Sequence, residues 1–316
     1  MRRSLKGRSS SALHLALAGD VLVAAAKFVG AAATGSSALF SEGVHSTVDA
    51  VSEILLLYGL RVGKRPSTAE HQLGFGREVF FWNFIVAMTI LALGAGVALL
   101  DGIHQILHAS VIESPVISYA VLLLALLAEL PAMISVSKGV RKKRGETGLV
   151  HFVRMSRDPT MLTVMFGGAS GILGIVIAAT GTFLTTLTNN SVWDGVASVL
   201  ISMILGTTAI FLAATSKKLL IGVPASPLIV NSILKITTDC PDVETANGAI
   251  TVHLAPDQIL VALSVAFRPT LSTADIEVAV AAIDRAVRAA HPSVVVFLLK
   301  PQSEAQFQTV RGHRGW

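Results

Sequence analysis

Charge is what this sequence lacks most. Only 14% of its 316 residues are Asp, Glu, Lys or Arg, against 52% hydrophobic, whereas soluble domains carry about 25% charged residues. The deficit, set in repeated long apolar runs, makes the chain an integral membrane protein embedded in a lipid bilayer. Cysteine is nearly missing. Cys240 stands alone, which excludes an intrachain disulfide and any cysteine-cluster zinc site. No short apolar core with a small-residue cleavage site opens the chain. The basic stretch 1–12 leads straight into a full-length apolar run, so a first span is expected in place of a removable signal. No nucleophile–base pair and no His-Glu-x-x-His motif occurs, so an enzyme is not expected.

Six runs are long enough for a helix to cross the hydrocarbon core, which takes roughly 20 residues. They lie at Leu13–Thr34, Ser37–Leu60, Glu78–Leu100, Val116–Val136, Thr160–Phe183 and Val192–Ala214. Gly and Ala recur within them, as in Gly94-Ala95-Gly96 and Gly167-Gly168-Ala169, and small residues let membrane helices approach closely. The basic residues avoid every second connection. Gly35-Ser36, Asp101–Pro115 and Leu184–Ser191 hold no Lys or Arg, while the N-terminus, the second-to-third and fourth-to-fifth connections and the segment after the sixth run are rich in them. The positive-inside rule then puts both termini in the cytoplasm. It also explains the net charge of +5 without a nucleic-acid partner, since basic loops are the ordinary cytoplasmic face of a membrane protein.

From about Ile221 the pattern changes. Pro224–Thr238 reads as an amphipathic helix, and Val243–Leu254 and Gln258–Phe267 alternate like strands around the turn Ala255-Pro256-Asp257. Ser272 or Thr273 caps a second helix that runs to Ala290, and Val294–Leu299 is a β-branched strand. The fold class expected is an α-helical membrane protein with six transmembrane helices, plus a small cytoplasmic α+β ferredoxin-like C-terminal domain. The domains are 1–12, a basic cytoplasmic N-terminus; 13–214, the six-helix membrane domain; 215–301, the α+β domain; and 302–316, a polar tail expected to be flexible.

One apolar run carries ionisable groups at helical spacing. His45, Asp49 and Glu53 fall at i, i+4 and i+8, on one face of a helix that repeats every 3.6 residues. Charged groups within a bilayer are costly and usually mark an ion path or proton relay. The alternative is that the three face a neighbouring helix and pair with its polar groups.

The surrounding residues resemble a known family. Lys27-Phe28-Val29-Gly30 and Thr34-Gly35-Ser36-Ser37-Ala38-Leu39-Phe40-Ser41-Glu42-Gly43-Val44-His45-Ser46-Thr47-Val48-Asp49 are similar to the first two spans of the cation diffusion facilitator family of zinc transporters. Glu70-His71-Gln72-Leu73-Gly74-Phe75-Gly76-Arg77, Asp158-Pro159-Thr160 and Trp193-Asp194-Gly195-Val196-Ala197-Ser198 continue the match in order. The branch it looks most like holds the zinc transporter 9 proteins. The resemblance implies a homodimer that exports a divalent cation, usually Zn²⁺, from the cytoplasm in exchange for protons, with no cofactor. It also implies a tetrahedral site with two ligands from span two and two from span five. Carried over, the span-two metal ligands are His45 and Asp49, whose imidazole and carboxylate suit Zn²⁺ and can trade metal for protons. A bacterial inner membrane is the expected location.

Span five departs from the pattern. Gly167 and Gly168 stand where the branch carries an acidic pair, and no titratable residue lies between Thr160 and Phe183. Either Glu53, Glu129 or Asp20 completes a rearranged site or proton relay, or the chain is a transport-impaired partner or regulator. Other polar residues have plainer readings. Lys27 snorkels or pairs with a buried acid, Asp20 being two turns away. Glu42, three residues before His45, either orients the imidazole from behind or faces the interfacial region near the span's outer end, the second being the expected role. His71 is a candidate for an accessory loop site, with Glu70 as its local companion. His104 and His108 form a solvated helix end near Asp101. Asp158 starts span five and Asp194 caps span six.

Overall fold

The computed structural model describes residues 21–108, 114–146 and 148–314. Two compact units emerge. One holds the chain up to Val62 and Glu78–Lys217, and the other holds Gly63–Arg77 and everything from Lys218 on. The loop 63–77 therefore groups with the C-terminal residues, whereas the sequence assigned it to the membrane part.

Among its described residues the first unit has only helices: α1 (Val21–Thr34), α2 (Ser37–Val62), α3 (Glu78–Leu107), α4 (Pro115–Arg144), the short α5 (Leu149–Met155), α6 (Pro159–Thr188) and α7 (Val192–Ile221). Four of these, α3, α4, α6 and α7, are long and apolar enough to cross a membrane, at 30 residues each. At 1.5 Å per residue that is about 45 Å, more than the ~30 Å hydrocarbon core. The helices run past the span ends read from hydropathy, Leu100, Val136, Phe183 and Ala214. Apolarity stops at the lipid boundary, but backbone hydrogen bonding carries the helix onward through polar turns such as Arg141–Arg144.

Local sequence sets the helix starts. Pro115 and Pro159 occupy first-turn positions, where a missing N–H costs nothing. The Asp158 carboxylate accepts from the Met161 amide and caps α6, as expected. Asp194 behaves differently from the expectation. It lies inside the first turn of α7, so it cannot cap its own helix. Its carboxylate instead accepts from the Ser36 hydroxyl at 2.8 Å and the Ala38 amide at 3.1 Å, capping α2 across the bundle. Nearby, α3 and α7 cross backbone to backbone at Gly102 and Gly195, where an added Cβ on either would meet the other's carbonyl oxygen at 2.9 Å. A π-helical turn interrupts α3 at Ile90–Ala95, a feature that often marks function.

The second unit orders as α8 (Pro227–Thr238), β1 (Val243–Ala255), β2 (Gln258–Phe267), α9 (Thr273–Ala290), β3 (Val294–Pro301) and α10 (Glu304–Arg314). The sheet runs β1-β2-β3, with β1–β2 antiparallel and β2–β3 parallel. A parallel neighbour needs a crossover, and α9 supplies it. Central β2 buries Ile259, Val261, Leu263 and Val265, and Ile233 of α8 with Ile283 and Val287 of α9 pack in the same core. Ser272 is the cap of α9, in a reciprocal box with Asp275. The Ser272 hydroxyl and amide hold the Asp275 carboxyl below the usual range. The polar stretch after Gln302, read as a loose tail, forms α10. Phe307 anchors it by stacking over Gly248, whose φ of +158° and missing side chain leave the room. Within this unit the loop 63–77 leans on the β1–β2 turn, with Gly76 against the Leu254 carbonyl and Ala255.

Candidate metal site

Helix α2 carries Glu42, His45, Asp49 and Glu53 along neighbouring turns. Gly43 lets Phe28 of α1 pack tightly against this helix, so the polar face sits inside the bundle. His45 is 2% exposed, and its Nε2 lies 3.4 Å from Asp49 Oδ2. Neither ring nitrogen is hydrogen-bonded among the described residues. Buried polar atoms without partners cost about 1–3 kcal/mol each, so a partner for this imidazole beyond the described residues would be stabilising.

Beside it lies an ion network that only the fold reveals. Lys27 of α1 is fully buried, and its ammonium donates to Glu42 Oε2 at 2.9 Å, Ser46 Oγ at 2.7 Å and Glu129 Oε1 at 3.3 Å. The expectation that Lys27 pairs with a buried acid is met, but by Glu42 and Glu129; Asp20 lies outside the described residues. Glu42 is fully buried, which corrects its assignment to the interfacial region. An unpaired carboxylate would prefer headgroups, but a buried ammonium within 3 Å draws it inward. Each carboxylate gives one oxygen to Lys27, and the other oxygens, Glu42 Oε1 and Glu129 Oε2, have no hydrogen-bond partner among the described residues.

Helix α6 faces this cluster with glycine. An added Cβ on Gly167 would sit 3.9 Å from Asp49 Oδ1, while one on Gly168 would approach the Met133 sulfur of α4 at 3.3 Å. A Cβ on Gly171 would meet Glu129 Oε2 at 2.5 Å and His45 Nε2 at 3.3 Å, and one on Gly174 would collide with Glu42 Oε1 at 2.0 Å. So Gly167, Gly171 and Gly174 form one face against Asp49, the His45–Glu129 pair and Glu42 in turn. The carboxylates occupy the space that side chains on α6 would take. The Ser170 hydroxyl donates to its own helix at Phe166 and lies 3.2 Å from the Thr208 hydroxyl of α7.

A cavity of about 160 Å³ opens on this cluster, lined by Ser46, Asp49, Glu53, Glu129, Gly167 and Gly168 among others. Ile90, at the start of the π turn, also lines it. The sequence-predicted Asp49, Glu53 and Glu129 are thereby brought to one space, with His45 at its inner side. No group of three or more His, Cys, Asp or Glu side chains among the described residues stands in metal-holding geometry. His71 lies elsewhere: it is exposed, in the second unit, stacked on Phe75 at 4.5 Å. His104 and His108 stack on each other at 4.9 Å, and Asp101 accepts from Ser37.

The network of Lys27, Glu42 and Glu129 is what sequence reasoning missed. Its partners stand 15 and 102 residues from Lys27. The available signal was a lysine and two glutamates in runs that otherwise carry almost no charge.

Residues 13–221 match the family model of the cation efflux transmembrane domain. The chain is 29% identical over 228 residues to the proton-coupled zinc antiporter SLC30A9, mitochondrial, of Xenopus laevis, covering 72% of this chain and 41% of that protein. It is 27% identical over 230 residues to the human protein of the same name, covering 72% and 40%. Metal tolerance protein C4 of Arabidopsis thaliana is 28% identical over 229 residues, covering 72% and 50%. The chain thus spans half or less of the length of these relatives.

Proposed function

The chain belongs to the cation efflux, or cation diffusion facilitator, family, and from that premise we propose that it carries a divalent cation, zinc, across a membrane in exchange for protons. The observation that carries this reading is the His45–Asp49 pair at 3.4 Å beside a cavity that also holds Glu53 and Glu129. Zinc is the substrate here. His45 Nε2 and Asp49 bind it, and Glu129, across Gly171, replaces a ligand that α6 does not offer. Imidazole with carboxylates favours zinc over harder ions that want all-oxygen sites. Metal needs the imidazole neutral and the carboxylates ionised, so its entry expels protons and its release takes them up. Lys27 neutralises the carboxylates when no metal is there and keeps the cluster affordable in the bilayer.

In this reading α1 and α2 cross the membrane with the four longer helices, giving six spans with both termini in the cytoplasm. The αββαβ unit is a ferredoxin-like cytoplasmic domain, the protein works as a homodimer in a cell inner membrane, and transport is export. Named zinc/proton antiporters among the relatives support the cargo and the coupling ion.

A second reading has its own observation. With Gly167 and Gly171 opposite the pair, the tetrahedral set is short of α6 ligands, which favours a transport-impaired partner or regulator. Zinc flux into proteoliposomes under an imposed pH gradient separates the two. Flux above empty vesicles, lost by about tenfold or more in Asp49→Ala and cut in Glu129→Gln, is expected, since removing even a group behind a metal ligand costs about 10–100-fold. Flux equal to that of empty vesicles sinks the transporter reading and leaves the regulator.

A further inference from the structure

Away from the buried cluster, one pair of side chains has the chemistry of a metal ligand set. His104 and His108 stand at i and i+4 where α3 ends, His108 being its C-cap. The His108 amide donates to the His104 carbonyl at 2.8 Å, so the turn between them is closed and their spacing is fixed by the helix. Both side chains are exposed, yet the rings do not splay apart. They stack, with centroids 4.9 Å apart and planes at 25°. Two histidines on one side of one helical turn are how a helix presents two nitrogens to one zinc ion. A tetrahedral ion about 2.1 Å from each nitrogen holds those nitrogens ~3.4 Å apart. Rotation of two exposed rings about their side-chain bonds reaches that spacing without moving the backbone.

The surroundings favour a cation. The last carbonyls of a helix lack intrahelical partners and give its C-terminus a partial negative charge, and the two histidines lie in and just after that last turn. Asp101 stands one turn before His104, its carboxylate accepting from the Ser37 hydroxyl. The connection 101–115 holds no Lys or Arg, so no fixed cation within it competes for the place.

We propose that His104 and His108 form a second divalent-metal site, a two-imidazole clamp whose remaining positions are filled by water. Imidazole ligands select borderline ions, so Cu²⁺ should bind above Zn²⁺ and both well above Mn²⁺. The clamp is distinct from the His45–Asp49 pair and does not rest on zinc transport. In the six-span reading it lies on the face away from the basic connections, where exported metal emerges.

Carbethoxylation of histidines by diethylpyrocarbonate, read residue by residue by mass spectrometry on the purified full chain, tests it. At neutral pH, zinc chloride should slow the modification of His104 and His108 with one common midpoint, and manganese chloride over the same range should slow neither. In His104→Ala the zinc midpoint for His108 should rise by about tenfold or more, and His108→Ala should do the same to His104, since even groups behind a metal ligand change affinity by about 10–100-fold. Circular dichroism confirms that each variant is folded. An unchanged midpoint for one histidine without the other overturns the clamp. So does zinc that slows neither residue, or that slows His151, exposed on α5, equally. Asp49→Ala should leave both midpoints where they are. Protection lost in that variant would mean a change of shape driven from the inner pair, and also overturns the proposal. Flux plays no part in the readout, so a failure here leaves the transport reading untouched.

Discussion

Lys27 is the residue on which the buried cluster depends. A lone ammonium or carboxylate inside a bilayer is expensive, and the Lys27–Glu42 pair, fully buried on both sides, is tolerable only as a pair. Removing one member leaves the other uncompensated, at a cost of about 3–5 kcal/mol. Lys27→Met should therefore lower the unfolding free energy in detergent by that amount. Lys27→Met/Glu42→Gln should recover most of it, because no buried charge then lacks a partner on α2. If the double variant is no more stable than the single one, Glu42 is not the group that Lys27 neutralises. Sequence reasoning could see that each of these side chains was out of place in an apolar run. It could not pair them, because helical spacing relates residues one or two turns apart, and the partners of Lys27 lie on α2 and α4.

At the scale of elements, the proposed function turns on how α2 meets α6. The i, i+4 spacing of His45 and Asp49 was legible because a helix imposes it, and the two do stand together. The absence of ligands on the facing helix was legible too. The rotation of α6 was not, since two adjacent glycines differ by about 100° around the axis and nothing local says which one faces inward. The fold separates them: Gly167 looks at Asp49, Gly168 at Met133, and Gly171, which the sequence did not single out, backs His45. That assignment has a consequence. A Cβ at Gly167 has room, with Asp49 Oδ1 at 3.9 Å, whereas one at Gly171 has none. Gly167→Asp should add a carboxylate to the pair and tighten zinc binding by roughly tenfold or more, since even groups behind a metal ligand change affinity by about 10–100-fold, as read by calorimetry at neutral pH. The adjacent Gly168→Asp should give no such gain. Equal gains from both would mean that added negative charge, and not ligation, is responsible.

For the whole molecule, the division into a helical unit and a small sheet unit follows from hydrophobic pattern, which changes period near Ile221. Strands β1 and β2 were readable from alternation and buried runs, and Ser272 or Thr273 as the cap of α9 from its polar neighbours. Helix α10 was not readable, because Phe307 packs on Gly248 in β1, far away in sequence, and polarity alone suggests a free tail. Orientation in the membrane is the property of the whole chain that the basic residues encode. They gather at alternate connections, and the segment from Lys217 on lies on the basic side. The chain carries its own reporter for this. Cys240 is the single cysteine, half-buried just beyond α8 in the sheet unit. In sealed vesicles that keep the cell's orientation, a membrane-impermeant maleimide should leave Cys240 unlabelled, and in inverted vesicles it should label it as fully as in detergent-opened ones. Because no other thiol competes, the signal needs no engineered background. Labelling in the cell-oriented vesicles would reverse the sidedness of every loop at once. It would place Arg141–Arg144 on the opposite side of the membrane and move both termini out of the cytoplasm.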